Sequence, residues 1–197
     1  MWKTAAALVL SAITLGAAPL REDLSPPQQK QISDGQSVVV TEEVPGAPWP
    51  RLRVYTKVNA PVSAVEKVFR DYASAPSYTP GLTSAEVLAR PDPNTYDVRY
   101  TSAMPLIGDS VSTVRNTYRQ DGDNLVVSWK LLEATHADES TGELRVEPDD
   151  DGGCILRYTN FVRPKSSLAK LAKAAALAEV KKTVNAIKAE SEKRHRP

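Results

Sequence analysis

Hydrophobic residues recur at every second position through much of this chain. Between 51 and 58, Leu52, Val54, Thr56 and Val58 alternate with Arg51, Arg53, Tyr55 and Lys57. Successive side chains of a strand point to opposite faces, so the run predicts a strand with one buried face and its basic residues turned to water. Before it, the β-branched stretch Ser37 to Val44 predicts another strand, and Pro45-Gly46-Ala47-Pro48 a turn between the two. The period then changes. Val62, Val65, Val68, Phe69 and Tyr72 form a 3.6-residue stripe. Pro61 stands near the first helical position, where its missing N–H costs nothing. Ser74 to Tyr78 predicts a second short turn of helix, ended by Pro80-Gly81.

From there period two returns and persists. The inward sets are Ala85, Val87 and Ala89; Tyr96, Val98 and Tyr100; Val114, Asn116 and Tyr118. Leu125, Val127, Trp129 and Leu131, then Leu144 and Val146, then Cys154, Leu156, Tyr158, Asn160 and Val162 continue the pattern. Turn residues at 91–94, 121–124 and 149–153 separate several of these runs, so about six antiparallel strands are predicted. The connection 103–109 is apolar for a loop. Lys165 to Glu192 carries Leu, Ala, Lys and Glu almost without a breaker and predicts a helix about 40 Å long. Its drifting apolar face includes Leu168, Leu171, Ala172, Ala175, Ala176, Val180, Val184 and Ile187. A sheet with one apolar face needs a cover, and this helix is the only element large enough. The expected fold is α+β: a helix-grip arrangement, with a curved antiparallel β-sheet wrapped around a long C-terminal α-helix.

The N-terminus does not belong to this pattern. A basic start (Met1-Trp2-Lys3), an apolar run from Thr4 to Leu15 and small residues (Gly16-Ala17-Ala18) have the layout of a secretory signal peptide. The apolar run is short for a membrane span of about 20 residues, and no Cys follows it to carry a lipid anchor. The expected organisation is a signal peptide over 1–18, a polar lead-in packed loosely over 19–36, the domain over 37–192 and a charged tail over 193–197, with a periplasmic or secreted destination.

Composition narrows the chemistry. The 197 residues are 41% hydrophobic and 25% charged, with a net charge of +1. This is ordinary globular composition without a bias toward nucleic acid. Nine Lys and Arg against three Glu fall in 165–197. These cations are scattered around the helix, so a solvated face is preferred to a lipid-headgroup site. Cys154 is the only cysteine, and His136 and His195 lie far apart, so neither a disulfide nor a metal site is expected. No cofactor is expected either, since no Gly-rich phosphate motif occurs. His136 reads as a surface residue and Cys154 as a small buried hydrophobe.

The run Val58-Asn59-Ala60-Pro61, Val65, Val68-Phe69, Asp71-Tyr72, then Tyr78-Thr79-Pro80-Gly81-Leu82 and Glu86-Val87-Leu88, resembles the START-like superfamily over residues 37–190. That superfamily includes polyketide cyclase/dehydrase-type proteins, coenzyme Q-binding START-like proteins and the birch-pollen-allergen group. Phe69 departs from the pattern, near a position often held by Trp. The resemblance implies an internal hydrophobic cavity between sheet and C-terminal helix, for lipids, sterols, polyketides, quinones or hormones.

Residue sizes support such a space independently. Small residues of the long helix, Ala172, Ala175 and Ala176 among them, face a sheet bearing Tyr96, Tyr100, Tyr118, Trp129 and Tyr158. Val114, Val127 and Leu168 complete the expected wall, with Asn116 and Asn160 as its polar groups. Met104, Leu106 and Ile107 are the candidate mouth, able to close over a ligand or touch a membrane transiently. The first functional reading is a carrier for a hydrophobic small molecule or lipid. A cyclase/dehydratase-like enzyme using the same cavity is the second, and a partner-binding module with a filled cavity the third. No catalytic residue is assigned, since most acidic residues fall on outward positions or in turns. Oligomeric state stays open.

Overall fold

The computed structural model describes residues 18–104, 108–166 and 169–196. Residues 1–17 of the expected signal peptide lie outside the described residues. Eight strands follow in chain order: β1 (Val38–Glu42), β2 (Arg51–Val58), β3 (Leu82–Asp92), β4 (Thr95–Met104), β5 (Gly108–Asp121), β6 (Asn124–Ala134), β7 (Ala137–Pro148) and β8 (Cys154–Pro164). They form one antiparallel sheet ordered β1-β2-β8-β7-β6-β5-β4-β3. Consecutive strands from β3 to β8 are neighbours. The connection from β2 to β3 instead crosses from one side of the sheet to its far edge. Helix α2 (Val62–Arg70) and a 3-10 turn (Tyr72–Ser77) make that crossing. Helix α3 (Ala169–His195) follows β8 and packs on α2 and β2.

Alternation along each strand becomes continuous rows across the sheet because the registers align. One inner row runs Val54, Tyr158, Leu144, Val127, Tyr118. Val54, Leu144 and Val127 in it are fully buried. The next row runs Leu52, Asn160, Gly142, Trp129, Asn116, Tyr96. Val65 and Val68 of α2 and Val184 and Ile187 of α3 close over this face. The C-terminal half of α3 is tied down by polar contacts. Arg194 Nη1 meets Asp71 Oδ2 at 2.7 Å, Lys188 Nζ donates to the Lys57 carbonyl at 2.6 Å, and the Asn59 N–H donates to Glu192 at 2.9 Å.

Two expectations change. On β3, Val87 and Leu88 are both more than 40% exposed, and only Ala85 packs against the core. Three register shifts break its pairing with β4. Irregularities of this kind twist an edge strand away from regular pairing.

The larger change concerns residues 19–36, which form part of the folded domain. Leu20, Leu24 and Ile32 are buried with Val38, Tyr55 and Ile155 in a second cluster on the outer face of β1, β2 and β8. Helix α1 (Pro26–Ser33) starts from a capping box between Ser25 and Gln28. Tyr55 is therefore covered rather than turned to water, and its hydroxyl donates to Asp23 at 3.1 Å.

The polar edge of this cluster is ionic. Arg21 Nη2 meets both Asp149 oxygens, at 3.0 and 2.9 Å, and Lys57 Nζ meets Asp149 at 3.1 Å. Burial alone would raise the Asp149 carboxyl, but hydrogen bonds and charge from Arg21 and Lys57 outweigh it and hold the group below its ordinary value. A lowered native value stabilises the fold above the unfolded value of about 3.9, and that stability is lost as pH falls through the native value. Asp149→Asn is therefore expected to melt below the wild type at pH 7. The gap between their melting temperatures should begin to narrow as pH falls past about 4, the unfolded value, and close only below the lowered native value. A gap that stays constant however far the pH is lowered would show that the carboxylate charge is not what anchors the segment.

Candidate functional site: a cavity between sheet and helices

Along the C-terminal halves of β8 and β4 the inner face is only half-buried. Tyr158, Asn160 and Val162 on β8, Ser140 on β7, and Tyr100 and Ser102 on β4 all lie in this half-buried region. They bound a cavity of about 280 Å³, which also meets Val114 and Asn116 of β5 and Trp129 of β6. The opposite wall comes from the crossover, Phe69, Tyr72, Ala75, Tyr78 and Thr79, with Leu82 at the start of β3. Helix α3 contributes Thr183 and Ile187.

Local packing sets this geometry. Trp129 lies against Gly142 on the neighbouring strand, where a β-carbon would overlap its ring. The indole stacks tilted on Tyr158, with ring centroids 4.8 Å apart. The crossover is pinned by phenols. Tyr78 donates to the Val68 carbonyl at 3.1 Å, and Tyr118 to the Phe69 carbonyl at 3.1 Å. Tyr72 and Tyr118 hydroxyls meet at 2.7 Å. The Arg70 guanidinium lies 3.8 Å from the Tyr118 ring centroid, and its Nε donates to Glu66 at 2.8 Å. Asn116 donates to Tyr100 Oη and to the Val114 carbonyl, both at 3.4 Å.

The cavity wall is mainly apolar, with a few neutral polar groups. No Asp, Glu, Lys, Arg or His is among its described lining residues. Burial pushes the Tyr72 and Tyr78 phenols up to about 12, and raises Tyr100 and Tyr158 as well. All four remain neutral at physiological pH. Cys154 is fully buried in the core and burial pushes its thiol up to about 12, so it is a packing residue rather than a nucleophile.

Of the positions singled out from sequence, Tyr100, Val114, Asn116, Trp129, Tyr158 and Asn160 meet in the lining. Tyr118 and Val127 lie in the core beneath it. Tyr96 packs beside Tyr72 and Tyr118, with ring centroids 5.7 Å away in each case, rather than in the described wall. On α3 the described wall is Thr183 and Ile187, whereas Ala175 is exposed and Ala176 half-buried. Ala176 precedes Thr183 by seven residues, on the same helical face, while the Ala172 side chain lies outside those described. Met104 ends β4, two residues after Ser102 of the lining. Leu106, Ile107 and Leu168 lie outside the described residues. Sequence reasoning missed the whole crossover wall. Phe69 and Tyr72 stood in the helical stripe, but a stripe marks burial and not whether a residue meets core or space.

An eight-stranded antiparallel sheet gripping a C-terminal helix over an internal cavity defines a helix-grip domain. The chain belongs to the family described as "Polyketide cyclase / dehydrase and lipid transport", whose model matches residues 50–192. Solved structures with this fold include a STAR-related lipid transfer protein from Xanthomonas axonopodis, at 19% identity and TM-score 0.71 over 79% of this chain and 93% of that one. Human StAR-related lipid transfer protein 5 aligns at 13% identity and TM-score 0.68, over 83% and 85%. The Zhui aromatase/cyclase from a Streptomyces species aligns at 19% identity and TM-score 0.60, over 74% and 95%. A sequence search of curated proteins finds no match.

Proposed function

We propose that this chain is an exported binding or carrier protein for a hydrophobic, lipid-like small molecule held between the sheet and α3. The observation that carries the reading is the cavity of about 280 Å³, walled by aromatic, aliphatic and neutral polar side chains. Such a lining suits an apolar ligand oriented by a few hydrogen bonds. The names of the lipid-transfer structures sharing the fold point the same way. Export is supported by the basic start, apolar run and small residues of positions 1–18. Among the described residues no helix is long and apolar enough to cross a membrane. The apolar character of Met104, Leu106 and Ile107 favours brief membrane contact during loading.

The cyclase/dehydratase reading has the aromatase/cyclase likeness in its favour. Acid–base turnover, however, needs a group that titrates near the working pH. The described lining offers only neutral hydroxyls, amides and an indole.

Native mass spectrometry of the purified protein is expected to show a bound small molecule. Thr183→Trp, which places an indole in the cavity, should remove that adduct and weaken uptake of an added ligand by at least about tenfold, roughly 1.4 kcal/mol. Its melting temperature should stay within a few degrees of wild type. Unchanged uptake would place the ligand elsewhere.

A further inference from the structure

We propose that the cavity selects an uncharged ring ligand, and that the Tyr100 hydroxyl, aimed by Asn116, donates a hydrogen bond to an oxygen on it. This rests on the binding reading above and names the class of ligand and the residue that reads it. It follows from where each phenolic proton goes.

Tyr78 donates its proton to the Val68 carbonyl. Tyr118 donates to the Phe69 carbonyl, so in the Tyr72–Tyr118 contact Tyr72 is the donor. Both crossover phenols that line the cavity, Tyr72 and Tyr78, therefore present only lone pairs to it. Tyr100 is the reverse case. Asn116 Nδ2 points at Tyr100 Oη, and the amide orientation is fixed because its Nδ2 also meets the Val114 carbonyl, which can only accept. Tyr100 receives that hydrogen bond, and no described residue takes its own proton. Its ring stands 6.4 Å from that of Tyr72, centroid to centroid. A ligand hydroxyl or carbonyl oxygen beside Tyr100 would accept that proton.

Shape and charge complete the class. Phe69, Tyr72, Tyr78, Tyr100, Trp129 and Tyr158 give the lining six aromatic faces, which favour a flat ring system. No cation among the described lining residues stands ready for a carboxylate or phosphate. Burying such an anion unpaired costs far more than one phenol hydrogen bond returns.

Three fluorescent probes on one ring separate these terms: 9-methylanthracene, 9-anthracenemethanol and anthracene-9-carboxylate, titrated into the full chain at pH 7.5 and followed by anisotropy. The alcohol is expected to bind about tenfold more tightly than the methyl compound, the worth of one well-placed hydrogen bond. The carboxylate should bind more weakly than either. Tyr100→Phe should bring the alcohol to the level of the methyl compound and leave the latter unchanged. Tyr78→Phe, whose hydroxyl is already engaged, should keep the wild-type ratio. A carboxylate that binds as tightly as the alcohol overturns the proposal on wild-type protein alone, even if Tyr100→Phe fails to fold. A Tyr100→Phe protein that folds and keeps the ratio overturns the role of Tyr100. Binding of 9-methylanthracene without any preference sinks this inference and leaves the carrier reading standing. No binding of any probe sinks this inference, and the carrier reading then stands or falls on the native mass spectrum.

Discussion

Gly142→Ala is expected to destabilise the domain by about 3 kcal/mol and to close the cavity at the same time. Gly142 pairs with Trp129 on one side and Asn160 on the other. A β-carbon there would overlap Trp129 Cζ2 and Cε2 and the Thr159 carbonyl oxygen. The carbonyl belongs to β8, in the ladder where Thr159 pairs with Glu143, so it cannot retreat without loss of pairing. The indole can move only into the space it borders. For a domain of this size the loss corresponds to a fall in melting temperature of about 10 °C. Ligand uptake should fall with it. Trp129→Leu in the same chain should recover part of the stability, because the smaller side chain yields to the new methyl. A double-mutant cycle in chemical denaturation reads that coupling directly. If Gly142→Ala melts within a degree of wild type and still takes up ligand, the Trp129–Gly142 contact does not shape the cavity.

Leu20→Ala is expected to cost about 3 kcal/mol, as for a fully buried leucine in a core. Leu20 has no exposed surface, and its backbone N–H donates to the Glu147 carboxylate on β7. With Leu24 and Ile32 it covers Tyr55 and Ile155. Losing that cover would leave an apolar strip on the outer sheet face, so increased self-association is expected alongside the lower denaturation midpoint. Ile32→Ala should cost a similar amount. The double variant should cost less than the sum, since both act by freeing the same segment. A loss below about 0.5 kcal/mol for Leu20→Ala would make residues 19–36 an appendage after all.

The strands were legible because their chemistry is local. Leu125, Val127, Trp129 and Leu131 alternate with polar neighbours, and the pleat turns that alternation into one inner face. The 3.6-residue stripe from Val62 to Tyr72 marked α2 for the same reason. The apolar side chains of residues 19–36 are few and irregularly spaced in a polar segment. Only their meeting with Tyr55 and Ile155, far along the chain, reveals them as a second core. The site was half legible. Tyr100, Asn116, Trp129, Tyr158 and Asn160 stood on the inner face by parity alone. Phe69, Tyr72, Tyr78 and Thr183 joined them only once the crossover and α3 had been placed.

The helix-grip sheet, its inward residues outside β3 and the covering helix were thus set by the sequence alone, because periodicity is a property of neighbours along the chain. Empty space is not such a property. Whether the aromatic side chains of the inner face fill the interior or ring a cavity depends on how far the crossover and α3 stand off the sheet. That distance is decided by contacts between residues far apart in the chain: Tyr118 with the Phe69 carbonyl, Arg194 with Asp71, and Trp129 flat against Gly142. The tertiary structure therefore decided that Tyr118 and Val127 are solid core. It also decided that Tyr100 and Tyr158, on the same sheet face, border a cavity with no charged side chain among its described lining residues.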